Sequence, residues 1–226
     1  MCERLIPVRT VALVAQARSV PTALRSAGPV SPRTRLLAGA AAGQALALVA
    51  VVVMVRVVGP ERAGLAPARR RGWLAASGGL LALVVTTAAI RGTLARRPRS
   101  RRWIARELAA VEELNPRGGL ETALYVPVAI QAALLEELLF RGLLPAALAR
   151  GGSLTPPTRA LLPLFGLGHL YQGLHRVAVT TAFGLLLAEV ARAGRSIRPT
   201  IALHAALDLQ LLWLRSHPLR PATTAR

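Results

Sequence analysis

The stretch LLEELLFRGLL, residues 134–144, carries three ionisable side chains inside a segment dominated by Ala, Leu, Val and Ile. These are Glu136, Glu137 and Arg141, and their neighbours are apolar enough to lie in lipid. A charged residue at the centre of a membrane helix costs roughly 2.5 to 3.5 kcal/mol on insertion scales. Their presence therefore indicates either an ion pair between helices or a functional site.

The composition of the whole chain predicts a membrane protein. Of its 226 residues, 53% are hydrophobic, and residues 36–55 and 72–90 contain no charge at all. Each of these two segments is long enough to cross about 30 Å of hydrocarbon as a helix. Shorter or interrupted apolar segments predict four more helices, at 122–135, 160–174, 177–190 and 200–214. We therefore expect an all-α, polytopic membrane helix bundle with about six transmembrane helices, the last four forming its core.

The charges divide the chain into regions. The 29 basic residues are all Arg, against nine Glu and one Asp, and they cluster between the apolar segments, as in RRPRSRRW. A tryptophan beside such a basic run suits anionic lipid headgroups, so we expect membrane lipids and no nucleic acid as partners. The predicted regions are a basic N-terminal arm over 1–35, two membrane helices and a basic amphipathic connector over 36–121, a membrane domain over 122–214, and a short tail over 215–226.

Helical spacing suggests how the charges of the opening stretch are used. Glu137 and Arg141 are four residues apart with the acid first, which is the favourable order for an ion pair on one helix face. Glu136 lies about 100° away around the helix axis and is left for another partner. Taken alone, these three residues are equally consistent with a salt-bridge cluster that joins helices.

Two later motifs add ionisable groups at a similar predicted depth. Phe165 and His169 are four residues apart in FGLGH, and His204 and Asp208 are four apart in HAALD, so each pair shares one helix face. A single histidine within a membrane helix is more often a packing hydrogen-bond donor than a catalytic group. Three separate segments that each bring such groups to one depth favour a common site.

The three motifs EELLFR, FGLGH and HAALD, in this order on successive membrane segments, resemble the CPBP family of intramembrane endopeptidases, also called the CAAX protease and bacteriocin-processing or Abi family. The resemblance covers roughly residues 120–214. It implies a glutamate-dependent peptidase without an obligatory metal or other cofactor. It further implies that Glu136 and His169 activate water, and that His204 and Asp208 lie on the oxyanion side.

The resemblance also gives expected roles to the other motif residues, and at one position this chain departs from the family pattern. Glu137 and Arg141, in the first motif, are expected among the catalytic residues, and Phe140 and Phe165 are expected in substrate binding or packing. Many relatives carry Asn where this chain has Asp208, and an ionised Asp would repel an oxyanion. We therefore expect Asp208 either to be protonated or, preferably, to orient and charge His204 by accepting its ring N–H. Burial in an apolar medium makes a carboxylate a better base and strengthens donors aimed at an oxyanion.

The expected function is hydrolysis of a peptide bond near the C-terminus or membrane anchor of a protein substrate, in the cytoplasmic membrane of a bacterium. The resemblance leaves prenylated tails, bacteriocin precursors and C-terminal sorting signals open as substrates. In a six-helix topology with both termini on one side of the membrane, 18 arginines lie on that side and 10 lie on the opposite side. This distribution favours cytoplasmic termini and a site in the outer half of the membrane.

Two other classes of function stay open. Two histidines and several carboxylates could form a metal site of a membrane hydrolase, although no His-Glu-x-x-His helix is present. A non-catalytic membrane protein, such as an immunity factor or a proton-coupled carrier, could keep the same charges for structure or proton transfer. A carrier would be expected to show inverted repeats, and the sequence has none.

Overall fold

The computed structural model describes residues 30–94, 115–149 and 160–216, and every regular element within these ranges is helical. The elements are α1 (Pro32–Val58), α2 (Arg70–Leu94), α3 (Gly119–Glu137), a π-helical turn (Leu138–Leu143), α4 (Leu144–Leu148), α5 (Leu162–Leu167), a 3₁₀ turn (Leu170–Gln172), α6 (Leu174–Gly194) and α7 (Arg198–Ser216). The basic arm before residue 30, most of the basic connector and the end of the tail lie outside the described residues.

Four helical stretches in the described ranges are long and apolar enough to cross a membrane, namely Pro32–Val58, Arg70–Ala89, Gly119–Leu148 and Leu174–Gly194. The predicted all-α membrane bundle is thus confirmed, whereas the count of six spanning helices is not. The segment predicted at 160–174 is divided between α5, which extends only about 9 Å, and the 3₁₀ turn. Helix α7 has 19 residues, but His204 and Asp208 make it more polar than the four spans.

The helices that carry the first and last motifs run antiparallel. Ser31, which caps the start of α1, donates to Glu121 near the start of α3 over 2.8 Å, so α1 and α3 begin at the same end of the bundle. We call this the Ser31 end. At the opposite end, the amide of Ile197, just before α7, donates to the carbonyl of Gly64 over 2.9 Å. Helix α7 therefore starts at this Gly64 end and returns along α3.

Close backbone contacts at the Gly64 end depend on glycine. A Cβ atom on Gly142, in the π-helical turn, would lie 2.7 Å from the carbonyl oxygen of Ala63. A Cβ atom on Gly72, near the start of α2, would overlap the Cα atom of Gly194 at the end of α6. Only residues without a side chain allow these segments to pack so closely. The connection between α1 and α2 is thereby held against both the π-helical turn and the start of α7.

The outer faces of α1 and α2 present large apolar side chains. The most exposed of these include Leu46, Val49, Val53, Val57, Leu74, Leu81 and Val85. An exposed apolar surface of this extent is unfavourable in water and favourable in hydrocarbon. The polar groups of the bundle are instead gathered between α3, α6 and α7, where the candidate site lies.

Candidate active site

The first motif lies where α3 gives way to the π-helical turn. Glu136 and Glu137 close the α-helical part, and Arg141 falls inside the turn, where the amide of Leu144 donates to the carbonyl of Leu139, five residues back. The extra residue in this turn changes the direction in which later side chains point, and such turns are frequent at functional sites. Sequence periodicity predicts a continuous α-helix here and contains no signal for the turn.

Glu137 is the central acceptor of the site and is completely buried. Its Oε1 atom accepts a hydrogen bond from Nη1 of Arg141 over 2.7 Å, which is the pair that the spacing predicts. The same oxygen lies 2.9 Å from Nδ1 of His204, on α7. Because a carboxylate only accepts, the histidine nitrogen is the donor. Glu137 thus joins the first motif to the third, a contact that the sequence analysis did not predict.

Arg141 is buried with Glu137 and also contacts Gly184 and Phe165. Its Nη2 atom donates to the carbonyl oxygen of Gly184, on α6, over 3.2 Å. Its Cζ atom lies 4.2 Å from the centroid of the Phe165 ring, within the range of a cation–π contact. A buried ion pair depends on further hydrogen bonds to its remaining polar groups; the Gly184 carbonyl supplies one to Arg141, whereas Oε2 of Glu137 is buried without a hydrogen-bond partner among the described residues. Arg141 is therefore directed into the protein and away from the open side of the site.

The second nitrogen of His204 faces two carboxylates. Its Nε2 atom lies 3.8 Å from Oε2 of Glu136 and 3.8 Å from Oδ2 of Asp208. Both distances are too long for hydrogen bonds, and the two carboxylates attract Nε2 only when the ring is protonated. The side chains of Glu136 and Asp208 are 29% and 35% exposed, so this part of the site is accessible.

The preferred role of Asp208 requires a correction. We expected its carboxylate to accept the ring N–H of His204, but Glu137 accepts that proton at Nδ1 instead. The i, i+4 spacing does place Asp208 beside the ring. The orientation of the ring, however, directs Nδ1 toward α3 and leaves Nε2 3.8 Å from Oδ2 of Asp208. The backbone of Asp208 is fixed separately, because its carbonyl accepts a 2.8 Å hydrogen bond from the hydroxyl of Tyr125.

His169 lies at the end of α5 rather than within a long membrane helix. Its Nδ1 atom is 3.1 Å from the carbonyl oxygen of Phe165 and must be the donor, so Nε2 of the neutral ring is left as an acceptor. The ring packs against Phe165 and stacks on Tyr171. Among the described residues, no hydrogen bond or ion pair joins His169 to Glu136, although the resemblance pairs them.

The two phenylalanines of the motifs pack on each other. Their rings meet edge to face with centroids 5.2 Å apart, and Phe165 is 2% exposed. Phe165 also contacts the rings of His169 and His204. Of the two roles expected for Phe165, packing accounts for its position.

Three residues of this site escaped the sequence analysis: Gly184, Tyr125 and Phe183, whose ring meets that of His204 edge to face. Tyr125 offered a weak signal, because a tyrosine inside an apolar segment usually needs a hydrogen-bond partner for its hydroxyl. Gly184 offered none, since a glycine in a membrane helix is common.

Among the described residues, no group of three or more His, Cys, Asp or Glu side chains is arranged so that it could hold a metal ion. The expectation of metal-independent chemistry stays a prediction that needs a direct test.

Comparison with known proteins gives one match. Residues 118–210 match the family model described as "Type II CAAX prenyl endopeptidase Rce1-like". Searches of curated proteins and of solved structures found no match. The matched segment begins before α3, ends within α7 and includes every residue of the site described above. This match covers less than half of the chain and is consistent with the CPBP, or CAAX protease, family that the three motifs resemble.

Proposed function

We propose that the protein is an intramembrane endopeptidase that hydrolyses a peptide bond near the C-terminus or membrane anchor of a protein substrate, using water activated by Glu136 and His169. The observation that carries this proposal is the arrangement around His204. Its Nδ1 atom is held by the buried Glu137, and its Nε2 atom faces the accessible carboxylates of Glu136 and Asp208. The family match supports a protease of the membrane.

Glu136 is the proposed base. Its Oε2 atom is buried without a hydrogen-bond partner in the described part of the chain, whereas its side chain as a whole is 29% exposed, so water can approach the carboxyl group from its open side. It can therefore accept a proton from water while the water oxygen attacks the scissile carbonyl carbon. The free Nε2 acceptor of His169 would hold the same water in line. When the tetrahedral intermediate collapses, the C–N bond breaks and the proton passes from Glu136 to the leaving amine.

His204 is the proposed oxyanion donor. Because Nδ1 already donates to Glu137, Nε2 can donate to an oxyanion only when the ring carries both protons. The imidazolium form is favoured by the three surrounding carboxylates, of Glu136, Glu137 and Asp208. Asp208 then serves to charge His204 rather than to contact the oxyanion. In an apolar site, such a donor stabilises the developing charge far more strongly than in water.

The test is peptide cleavage by purified protein in lipid nanodiscs. Fluorescent peptides with and without a prenylated cysteine near the C-terminus would be incubated with the parent, Glu136→Ala and His169→Ala, and mass spectrometry would locate the cleaved bond. We expect a loss of at least about 100-fold in kcat for both variants, as for removal of a general base.

The matched control is Glu189→Ala. This residue also lies in a spanning helix, but it accepts from Arg192 over 2.6 Å on the exposed surface. Its loss should leave cleavage unchanged, and thermal unfolding should show that all three variants are folded. If folded Glu136→Ala and His169→Ala cleave as fast as the parent, the catalytic assignment is wrong.

A further inference from the structure

A cluster of exposed arginines lies at the Gly64 end of the bundle. It combines two parts of the chain that are more than 120 residues apart, the start of α2 and the turn between α6 and α7. We call it the basic patch, and its members are Arg69, Arg70, Arg71, Arg195 and Arg198, all of them exposed. None of these residues takes part in the candidate active site.

Backbone contacts bring the two parts of the patch together. The amide of Arg69 donates to the carbonyl of Gly194 over 2.8 Å. Gly72 packs directly on Gly194, and a Cβ atom on Gly72 would also lie 3.3 Å from Cγ of Pro199. The arginines on either side of these contacts are therefore neighbours across α2 and α7. Like charges repel, so this contact places the cations together against their mutual repulsion.

The patch lacks internal neutralisation. Among the described residues, its five guanidinium groups form no ion pair or side-chain hydrogen bond. Two acids, Glu61 and Glu189, lie at this end of the described structure, and Glu189 pairs with Arg192, outside the patch. A strongly cationic surface therefore remains available to an anionic partner.

Its position matches the depth of lipid headgroups. Arg70 is the first residue of a candidate membrane span, and Trp73, one turn further into α2, is 45% exposed. Exposed tryptophan beside basic residues at the end of a span marks the membrane interface. Helices α2 and α7 both begin here, so their N-terminal dipoles also favour a negative charge.

We propose that the basic patch binds the phosphate of an anionic phospholipid, which bridges the start of α2 and the start of α7. A lipid partner fits because the arginines are already at headgroup depth, whereas a soluble anion would gain nothing from Trp73 and the adjacent hydrocarbon. The turn that leads into α7 also contains Ile197, whose amide donates a hydrogen bond to the carbonyl of Gly64. Bound lipid thereby holds the end of α7 that leads to His204. This inference does not depend on the proposed peptidase activity.

The test is titration of the detergent-solubilised full chain with short-chain phosphatidylglycerol or phosphatidylcholine, with bound lipid counted by native mass spectrometry. The variant is Arg70→Gln/Arg198→Gln, which removes one cation from each part of the patch. The control, Arg35→Gln/Arg117→Gln, removes two cations at the Ser31 end. Each arginine near an anionic surface is worth about a fivefold change in affinity, so the patch variant should bind phosphatidylglycerol about 25-fold more weakly.

We expect the parent and the control to prefer phosphatidylglycerol over phosphatidylcholine and the patch variant to lose that preference. Equal affinity of the parent and the folded patch variant for phosphatidylglycerol would overturn the proposal. An equal loss in the control would also overturn it, because the effect would then follow net charge. Displacement of the lipid by equimolar inorganic phosphate would assign the patch to a soluble anion instead.

Discussion

Replacement of Gly184 by alanine tests whether the buried support of Glu137 governs activity. Gly184 does not belong to any of the three motifs, and its carbonyl accepts from Arg141. A Cβ atom added here would lie 2.9 Å from Cδ1 of Phe165, 3.2 Å from Nη2 of Arg141 and 3.3 Å from Cδ2 of Leu162. These neighbours come from two segments, α5 and the π-helical turn, so the methyl group cannot be accommodated by the movement of one flexible side chain.

The expected magnitude follows from this overlap. Overpacking of a well-packed interior by a methyl group costs about 1 to 3 kcal/mol. Relief requires Arg141 or the Phe165 ring to move, and either movement disturbs the oxygen of Glu137 that holds His204. If the strain is expressed in the transition state, kcat falls about 5- to 150-fold. The Michaelis constant should change little, because position 184 lies behind Arg141 and away from the accessible carboxylates.

The assay compares kcat and KM of Gly184→Ala with those of Gly78→Ala, using a peptide that the parent cleaves. Gly78 lies in the interior of α2, and a Cβ atom added there would have no heavy atom within 4 Å. Both substitutions replace glycine by a better helix former, so only the overlap differs between them. A folded Gly184→Ala variant with the kcat of the parent would refute the idea that Arg141 positions Glu137. A rise in KM alone would place residue 184 in substrate binding instead.

Three further predictions concern the same site. Glu137→Gln should lower the free energy of unfolding by about 3 to 5 kcal/mol, because it leaves buried Arg141 unpaired. Glu136→Gln should change the same free energy by less than about 1 kcal/mol. Comparable thermal unfolding of the two variants would contradict this division of roles. Tyr125→Phe should lower the free energy of unfolding by about 1 kcal/mol and slow cleavage severalfold, because the carbonyl of Asp208 loses its hydrogen bond to α3. Unfolding in nanodiscs measures the first effect and kcat measures the second. A variant unchanged in both would show that the hydrogen bond is dispensable. Cleavage should persist in excess chelator, and restoration of a chelator-inhibited enzyme by one metal ion would favour a metal-dependent hydrolase.

The local spacing of the motifs was sufficient to predict part of the site. An i, i+4 pair on one helix turn is determined by helix geometry, so Glu137 and Arg141 could be paired without knowledge of the fold. The same argument places His204 and Asp208 on one face, although it does not specify which ring nitrogen approaches the carboxylate. Apolar length likewise predicts the all-α membrane bundle, because lipid requires the backbone of each span to satisfy its own hydrogen bonds.

The contacts that organise these pairs depend on the packing of distant segments. The bond between Glu137 and His204 joins residues 67 positions apart, and the bond from Arg141 to Gly184 spans 43. Neither contact has a periodic signature, and the π-helical turn that directs Arg141 toward α6 is equally invisible to helical periodicity. The sequence alone thus determined the membrane class, the three motifs and the pairs within one helix turn. Only the tertiary structure decided that Glu137, rather than Asp208, holds the ring of His204, because helix packing sets the distance and orientation between side chains on different helices.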